Sequence, residues 1–160
     1  MRTWIAVIGL SPYPITNTIW AACKRDGYVP NRVVLINPES RRVDLEELEA
    51  SIRRILAAYG EGDPSIEMVS VDGDDFVGNR NRLMELVEGT DGEIAIDITA
   101  GRRLLSIFAV DIGIKWKDRV KKIYYLPLKD DQYYTRPFML IPARQHIFTE
   151  VNDLLRRGDQ

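Results

Sequence analysis

Residues 94–103, Ile-Ala-Ile-Asp-Ile-Thr-Ala-Gly-Arg-Arg, constrain the fold of this chain more than any other segment. They read as an apolar strand that ends near Asp97, a turn of small residues and two arginines. Apolar residues then recur at the spacing of a helix: Leu104, Leu105, Phe108 and Ile112. A buried strand that leads directly into a helix is the repeating unit of a parallel α/β sheet.

The two arginines also predict a type of ligand. Arg102 and Arg103 would face the positive end of the helix dipole, where each charge is unfavourable by about 0.3–1 kcal/mol. A bound phosphate would remove this conflict, because a helix N-terminus already presents unpaired backbone N–H groups to an anion. We therefore expect a phosphate-rich ligand here. Adjacent helical positions face about 100° apart, so at most one of the two arginines is expected to point at it.

A second turn of the same kind lies near the N-terminus. The near-continuous apolar run 3–9 is typical of a strand covered on both faces, and a helical pattern follows it. Thr16 and Asn17 are placed to cap or line the start of that helix. The turn itself consists of Gly9, Leu10, Ser11 and Pro12.

The whole chain alternates strands and helices. Strands are predicted at 3–9, 32–37, 66–71, 93–98 and 121–127, and helices at 15–26, 44–59, 75–88, 102–116 and 145–157. Residues 129–142 break the pattern and suggest a sixth strand or a hairpin. The alternation indicates one α/β domain over 1–160, a doubly wound, mostly parallel Rossmann-like sheet of about six strands with helices on both faces. In the strand order 3-2-1-4-5-6, strands 1 and 4 meet at the topological switch point, which places Ser11 and Arg102 in one crevice.

Composition excludes several classes of function. With 22 basic and 24 acidic residues the net charge is −2, so no global basic field would recruit DNA or a membrane surface. No segment is typical of a signal peptide or a membrane span. Cys23 is the only cysteine, on the presumed buried face of the first helix, which favours a reducing cytoplasm and rules out a disulfide framework.

Familiar catalytic and cofactor motifs are missing as well. There is no G-x-x-x-x-G-K-[ST] loop and no G-x-G-x-x-G turn. His146 is the only histidine, predicted near a helix start, so a His-rich or Cys-rich metal site is excluded. Asp72, Asp74 and Asp75 fit a Mg²⁺ site or a turn with a helix N-cap, and we prefer the turn. No metal and no cofactor are expected.

Two short motifs resemble those of a known family. Residues 7–12, Val-Ile-Gly-Leu-Ser-Pro, followed by Ile15-Thr16, resemble the first-strand motif of CARF domains, the CRISPR-associated Rossmann-fold sensors. Residues 97–103 are similar to their second motif, an acidic strand end followed by Thr-Gly-Gly and a basic residue. Ala100 replaces the usual first glycine, and an arginine stands where many members carry lysine. The resemblance implies a homodimer that binds a cyclic oligoadenylate, most often the tetra-adenylate ring, across its two-fold axis in type III CRISPR antiviral signalling.

The resemblance also implies a set of site residues. The ligand-binding candidates are Gly9, Leu10, Ser11, Pro12, Thr16, Asn17, Asp97, Thr99, Ala100, Gly101, Arg102 and Arg103. For Asp97 a structural role, accepting hydrogen bonds from loop amides, is the preferred interpretation. Apolar and aromatic residues of 124–141 are candidates for part of the dimer interface.

Three functions remain open. The first is a ring nuclease, in which the neighbouring ribose 2′-OH attacks the scissile phosphate without a metal, assisted by Ser11, Arg102 and Arg103 as catalytic candidates. The second is a non-catalytic sensor domain of a larger effector. The third is a nucleotide-binding Rossmann protein unrelated to CRISPR.

Overall fold

The computed structural model describes residues 1–38, 43–101 and 103–157. Its strands are β1 (Arg2–Val7), β2 (Arg32–Pro38), β3 (Ser65–Val71), β4 (Glu93–Asp97), β5 (Val120–Tyr125) and β6 (Thr149–Glu150). Its helices are α1 (Tyr13–Asp26), α2 (Leu45–Ala58), α3 (Phe76–Glu88), α4 (Arg103–Lys115) and α5 (Val151–Arg157). Within the described residues, no helix is long and apolar enough to cross a membrane.

The strands form one twisted sheet in the order β3-β2-β1-β4-β5-β6. The first five are parallel, and β6 pairs antiparallel with the outer edge of β5. The predicted fold class and strand order are therefore confirmed. Because β1 is central and pairs with β4, the turns that follow these two strands lie side by side at the carboxyl ends of the strands.

Buried side chains fill both faces of the sheet. On one face, α1 and α2 pack against Trp4, Leu35 and Tyr124. On the other, α3 and α4 cover a second cluster that includes Ile5, Val34 and Ile96. Strands buried on both sides carry continuous apolar runs, which is why the sequence signals of β1, β2 and β4 were clear. Cys23 lies buried on α1, as expected.

Aspartate caps begin the two middle helices. The Asp44 carboxylate accepts the Glu47 N–H at 3.0 Å, and the Asp75 carboxylate accepts the Gly78 N–H at 2.8 Å. Asp72 Oδ1 accepts the Asp74 N–H at 2.9 Å within the preceding turn. Asp72 therefore stabilises the turn and Asp75 caps α3, as the sequence predicted for this cluster.

The sequence prediction is wrong for much of the C-terminal region. Segment 129–142 forms no strand or hairpin of its own but contains short 3₁₀ turns, and the helix predicted at 145–157 begins only at Val151. Pro127, Pro137 and Pro142 explain this, because proline has no N–H to donate to a strand ladder. His146 is not at a helix start, since it precedes β6 and its ring stacks on Phe138 with centroids 4.4 Å apart.

Candidate functional site

The two glycine turns touch at the carboxyl ends of β1 and β4. A Cβ atom at Gly9 would lie 3.2 Å from the Gly101 backbone nitrogen and 3.5 Å from the Ala100 Cβ. Gly101 has a φ of +92°, and a Cβ there would lie 2.9 Å from the Cβ of Val7. Each glycine therefore lets the other turn approach, and the two turns form one continuous surface at the switch point.

Two helices start at this surface, and their N-termini differ from those of α2 and α3. Pro12 occupies the N-cap of α1 and makes no side-chain capping hydrogen bond. The first turns of α1 and α4 contain no acidic residue, whereas α2 has two, and α3, which also has none, carries the Asp75 carboxylate at its N-cap. The positive ends of α1 and α4 thus have no acidic side chain of their own in the first turn, an arrangement that favours an external anion.

Ser11 and Arg103 carry the accessible polar groups of the two turns. Ser11 is half-buried, and its Oγ accepts the Tyr13 N–H at 3.3 Å, which leaves the hydroxyl hydrogen available to a ligand. Arg103, the first residue of α4, is exposed and forms no ion pair with another described residue. Arg102, the other catalytic and binding candidate on this turn, lies outside the described residues.

Asp97 lies beneath the second turn rather than on its surface. It is only 2% exposed, and its Oδ1 accepts the Thr99 N–H at 2.8 Å. Its Oδ2 is buried without a hydrogen-bond partner. Burial raises the pKa of this carboxyl group to about 7, and the hydrogen bond from the Thr99 N–H acts in the opposite direction. Such an environment suits the structural role preferred for Asp97.

Thr99 connects three elements under the site. Its hydroxyl oxygen accepts the Leu126 N–H at 2.9 Å and the Thr18 hydroxyl at 3.0 Å. Thr18 in turn is buried in α1, and Leu126 follows β5. Thr99 therefore holds the second turn against α1 and β5, a fixed geometry that a ligand-binding turn requires.

The other candidates from the first turn and α1 differ in exposure. Leu10 is 84% exposed, Pro12 is half-buried and Thr16 is buried. The Thr16 hydroxyl bonds within its own helix, to the carbonyl oxygens of Pro12 and Tyr13 at 3.3 and 3.2 Å. The Asn17 amide nitrogen donates to the Arg136 carbonyl oxygen at 2.9 Å and so holds the segment after β5 against α1.

Sequence reasoning missed a cavity beside this site. It lies between α1 and α2, has a volume of about 270 Å³, and is also lined by Pro137 from the segment after β5. Tyr13 and Trp20 line it from α1, seven positions apart and so on one helical face, which was the only signal in the sequence. The contribution of α2 could not be foreseen, because it depends on how the two helices pack.

Comparison with known proteins gives matches in structure only. No protein-family model and no curated protein sequence matches this chain. Enterococcus italicus Csm6 bound to cyclic hexa-2′-fluoro-hexa-dAMP matches 99% of this chain at 15% identity with a TM-score of 0.61. Protein VC1899 from Vibrio cholerae matches 78% at 12% identity and a TM-score of 0.55. Can2 from Sulfobacillus thermosulfidooxidans in complex with cyclic tetra-adenylate matches 76% at 16% identity and a TM-score of 0.52.

These matches establish the class of fold. The chain shares its Rossmann-like fold with these proteins, in agreement with the fold that its two motifs predicted, and at these identities the likeness shows the fold alone. The matched regions make up 45%, 30% and 31% of the lengths of Csm6, VC1899 and Can2, respectively.

Proposed function

We propose that this protein binds a cyclic oligoadenylate, such as cyclic tetra-adenylate, where its two glycine turns meet, as a component of type III CRISPR antiviral signalling. The observation that carries the proposal is the junction itself, where the N-termini of α1 and α4 lack acidic first turns and adjoin the exposed Arg103. The complexes of Csm6 with a cyclic hexa-adenylate analogue and of Can2 with cyclic tetra-adenylate support the choice of ligand.

Phosphate groups fit the chemistry of this junction. The backbone N–H groups of the two helix starts and the Ser11 hydroxyl are hydrogen-bond donors, and the guanidinium of Arg103 binds phosphate through two parallel N–H groups. Because the net charge of the chain is −2, this local cluster has to supply the attraction that the whole molecule does not.

A two-fold dimer is part of the proposal. A ring with repeated phosphates presents equivalent groups to two copies of one site, and an isologous interface duplicates every contact. In such a dimer the junctions of both protomers face one ligand across the axis.

Cleavage of the ring is the proposed activity. In this step the ribose 2′ oxygen attacks the adjacent phosphorus, the bond from phosphorus to the 5′ oxygen breaks, and a 2′,3′-cyclic phosphate and a 5′-hydroxyl result. The 2′ proton leaves to solvent, and the 5′ oxygen takes up a proton. Ser11 would orient the ribose or the phosphate, and Arg103 would stabilise the charge of the transition state.

A sensor without cleavage is the second candidate, and the placement of two titratable groups favours it. Asp97 is buried beneath the turn, and His146 pairs with Arg25 near the far end of α1. Neither is placed on the surface of the junction as a general acid or base.

Calorimetric titration with cyclic tetra-adenylate tests the binding proposal. Arg103→Ala should weaken binding by about 1.5–3 kcal/mol, because it removes a charge-assisted phosphate contact. Lys121→Ala is the matched control, since Lys121 is also an exposed cation but lies on β5, away from the junction. Equal small losses from both variants would mean that Arg103 is an ordinary surface charge, and absence of binding by the wild-type protein would refute the proposal.

A further inference from the structure

The cavity between α1 and α2 has the size and lining of a pocket for part of a ligand. Its volume of about 270 Å³ lies just below the roughly 300 Å³ at which pockets for whole small molecules begin. Buried Ile55 belongs to its lining, and the half-buried aromatic side chains of Tyr13 and Trp20 contribute from α1. A flat aromatic group would bury its faces here against apolar surface.

Three polar groups of the cavity lining have no hydrogen-bond partner in the described part of the chain: the Arg54 guanidinium, the Ser51 hydroxyl and the Asn17 carboxamide oxygen. Arg54 and Ser51, both on α2, make no hydrogen bond or ion pair with another described residue. Asn17 is 4% exposed, and its amide nitrogen is fixed by the Arg136 carbonyl oxygen. This contact requires the nitrogen on that side, so the Asn17 carboxamide oxygen is the group left as an acceptor.

The cavity adjoins the junction of the two glycine turns through one residue. Tyr13 lines the cavity, and its backbone N–H donates to the Ser11 Oγ at 3.3 Å. A ligand whose phosphate contacts Ser11 therefore lies close to Tyr13 of the cavity lining.

We propose that this cavity receives an adenine base of the cyclic oligoadenylate whose phosphates contact the junction, an inference that rests on the proposed function. The exocyclic amine of adenine donates to the Asn17 carboxamide oxygen. Arg54, which can only donate, bonds to a ring nitrogen of the base, and Ser51 supplies a hydroxyl group. Tyr13 and Trp20 provide aromatic surface for the base, as in other proteins that bind single-stranded nucleic acid.

This arrangement distinguishes adenine from a base with a carbonyl group at the same position. Hypoxanthine, the base of inosine, carries an oxygen where adenine carries the amine, and that oxygen would face the Asn17 oxygen with no hydrogen between them. A buried acceptor left without a donor costs affinity. The cavity would therefore discriminate between bases, while the junction binds the phosphates, which are the same in every nucleotide.

The test compares two rings and two variants of α2. Ala57 and Ala58 are neighbouring exposed residues in the last turn of the helix, but only Ala58 lines the cavity. Wild-type protein and Ala57→Trp should bind cyclic tetra-adenylate about tenfold more tightly than cyclic tetra-inosinate, because the inosine ring leaves the Asn17 oxygen unpaired. Ala58→Trp should fill the cavity, weaken binding of the adenylate ring and abolish the preference between the rings.

Tryptophan fluorescence gives a second measurement on the folded protein. Of the three tryptophans, Trp4 is buried in the core and Trp116 packs on the opposite face of the sheet, so Trp20 alone lines the cavity. Binding of cyclic tetra-adenylate should change the emission of the wild-type protein, and Trp20→Phe should remove that change while the protein still binds.

The possible outcomes separate the two proposals. Equal affinity of the wild-type protein for both rings, or an Ala58→Trp variant that keeps the wild-type affinity and preference, would overturn the base pocket. If Arg103→Ala still weakens binding in that case, the binding function stands without the pocket. A wild-type protein that binds neither ring overturns both proposals.

Discussion

Asp97 contributes a pH dependence to the stability of this protein. It is a carboxyl group in the core, with one oxygen that has no hydrogen-bond partner and a pKa of about 7. In the unfolded chain the same group has the ordinary value of 3.8. The folded protein therefore holds a proton that the unfolded chain releases between roughly pH 4 and 7. Stability is present below this window and is lost as the pH rises through it.

The variant Asp97→Asn tests this dependence. Relative to the variant, the wild-type free energy of unfolding should fall by about 1.4 kcal/mol for each pH unit between roughly pH 4 and 7, because Asp97 releases one proton on unfolding. The carboxamide of the variant cannot ionise and still presents an oxygen to the Thr99 N–H, so the profile of the variant should lack this decline over the same range. Chemical denaturation at pH 5, 6, 7 and 8 measures both profiles, with Asp118→Asn on the exposed surface as the control. Parallel profiles for wild type and Asp97→Asn would show that Asp97 is ionised throughout.

Among the elements, α4 has an unusual surface. Leu105, Ala109 and Ile112 pack against the sheet, but Ile107 and Ile114 are 62% and 51% exposed on the outer side. A helix that is apolar on both sides is typical of one that is covered on both sides. Since α4 also begins at the junction of the glycine turns, a second copy packed on it would bring two junctions toward one axis.

Segment 124–141, which the sequence suggested as part of the dimer interface, contains both buried and exposed apolar residues. Tyr124, Leu126, Phe138 and Ile141 are buried within the protomer. The exposed apolar residues of the segment are Tyr125, Tyr134, Met139 and Leu140. Part of this segment is thus committed to the core, and the remaining part competes with α4 as the interface.

Sedimentation of two variants decides between these surfaces. A buried charge opposes association, so Ile107→Glu should convert the proposed dimer to a monomer at micromolar concentration if α4 forms the interface. Met139→Glu, a substitution of the same type at a residue that is 72% exposed, should leave the dimer intact. Dissociation of Met139→Glu alone would move the interface to segment 124–141, and a wild-type monomer with and without cyclic tetra-adenylate would refute the dimer.

The sequence predicted the elements that form the junction better than those at the edge of the sheet. Continuous apolar runs marked β1 and β4, and Gly9 and Gly101 marked the turns after them, because both features arise from local chemistry. The strand β6 has only two residues and depends on its pairing with β5. The cavity between α1 and α2 depends on how these two helices pack. Neither long-range contact leaves a periodic signal in the sequence.

For the molecule as a whole, the reaction products decide between ring nuclease and sensor. If the protein cleaves cyclic tetra-adenylate, activity should survive excess EDTA and the products should end in a 2′,3′-cyclic phosphate, because the ribose itself supplies the nucleophile. Ser11→Ala should slow cleavage more than it weakens binding, since orientation matters most in the transition state. Single-turnover incubation followed by chromatography of the products measures both.

Each result assigns a different function. Tight binding with an intact ring after prolonged incubation would make the protein a sensor or a sink for the ligand. Cleavage that EDTA abolishes would contradict the metal-independent mechanism and direct attention to the turn that contains Asp72 and Asp75.

The central position of β1 has a consequence for how the junction of the two glycine turns forms during synthesis. β1 and the turn after it leave the ribosome early, yet Thr3 pairs with Ile94, and Gly9 packs against Gly101 in a part of the chain made much later. Contacts between such distant residues form slowly, because a long intervening loop must close first. Nascent chains that end before β4 therefore expose the first turn without its partner.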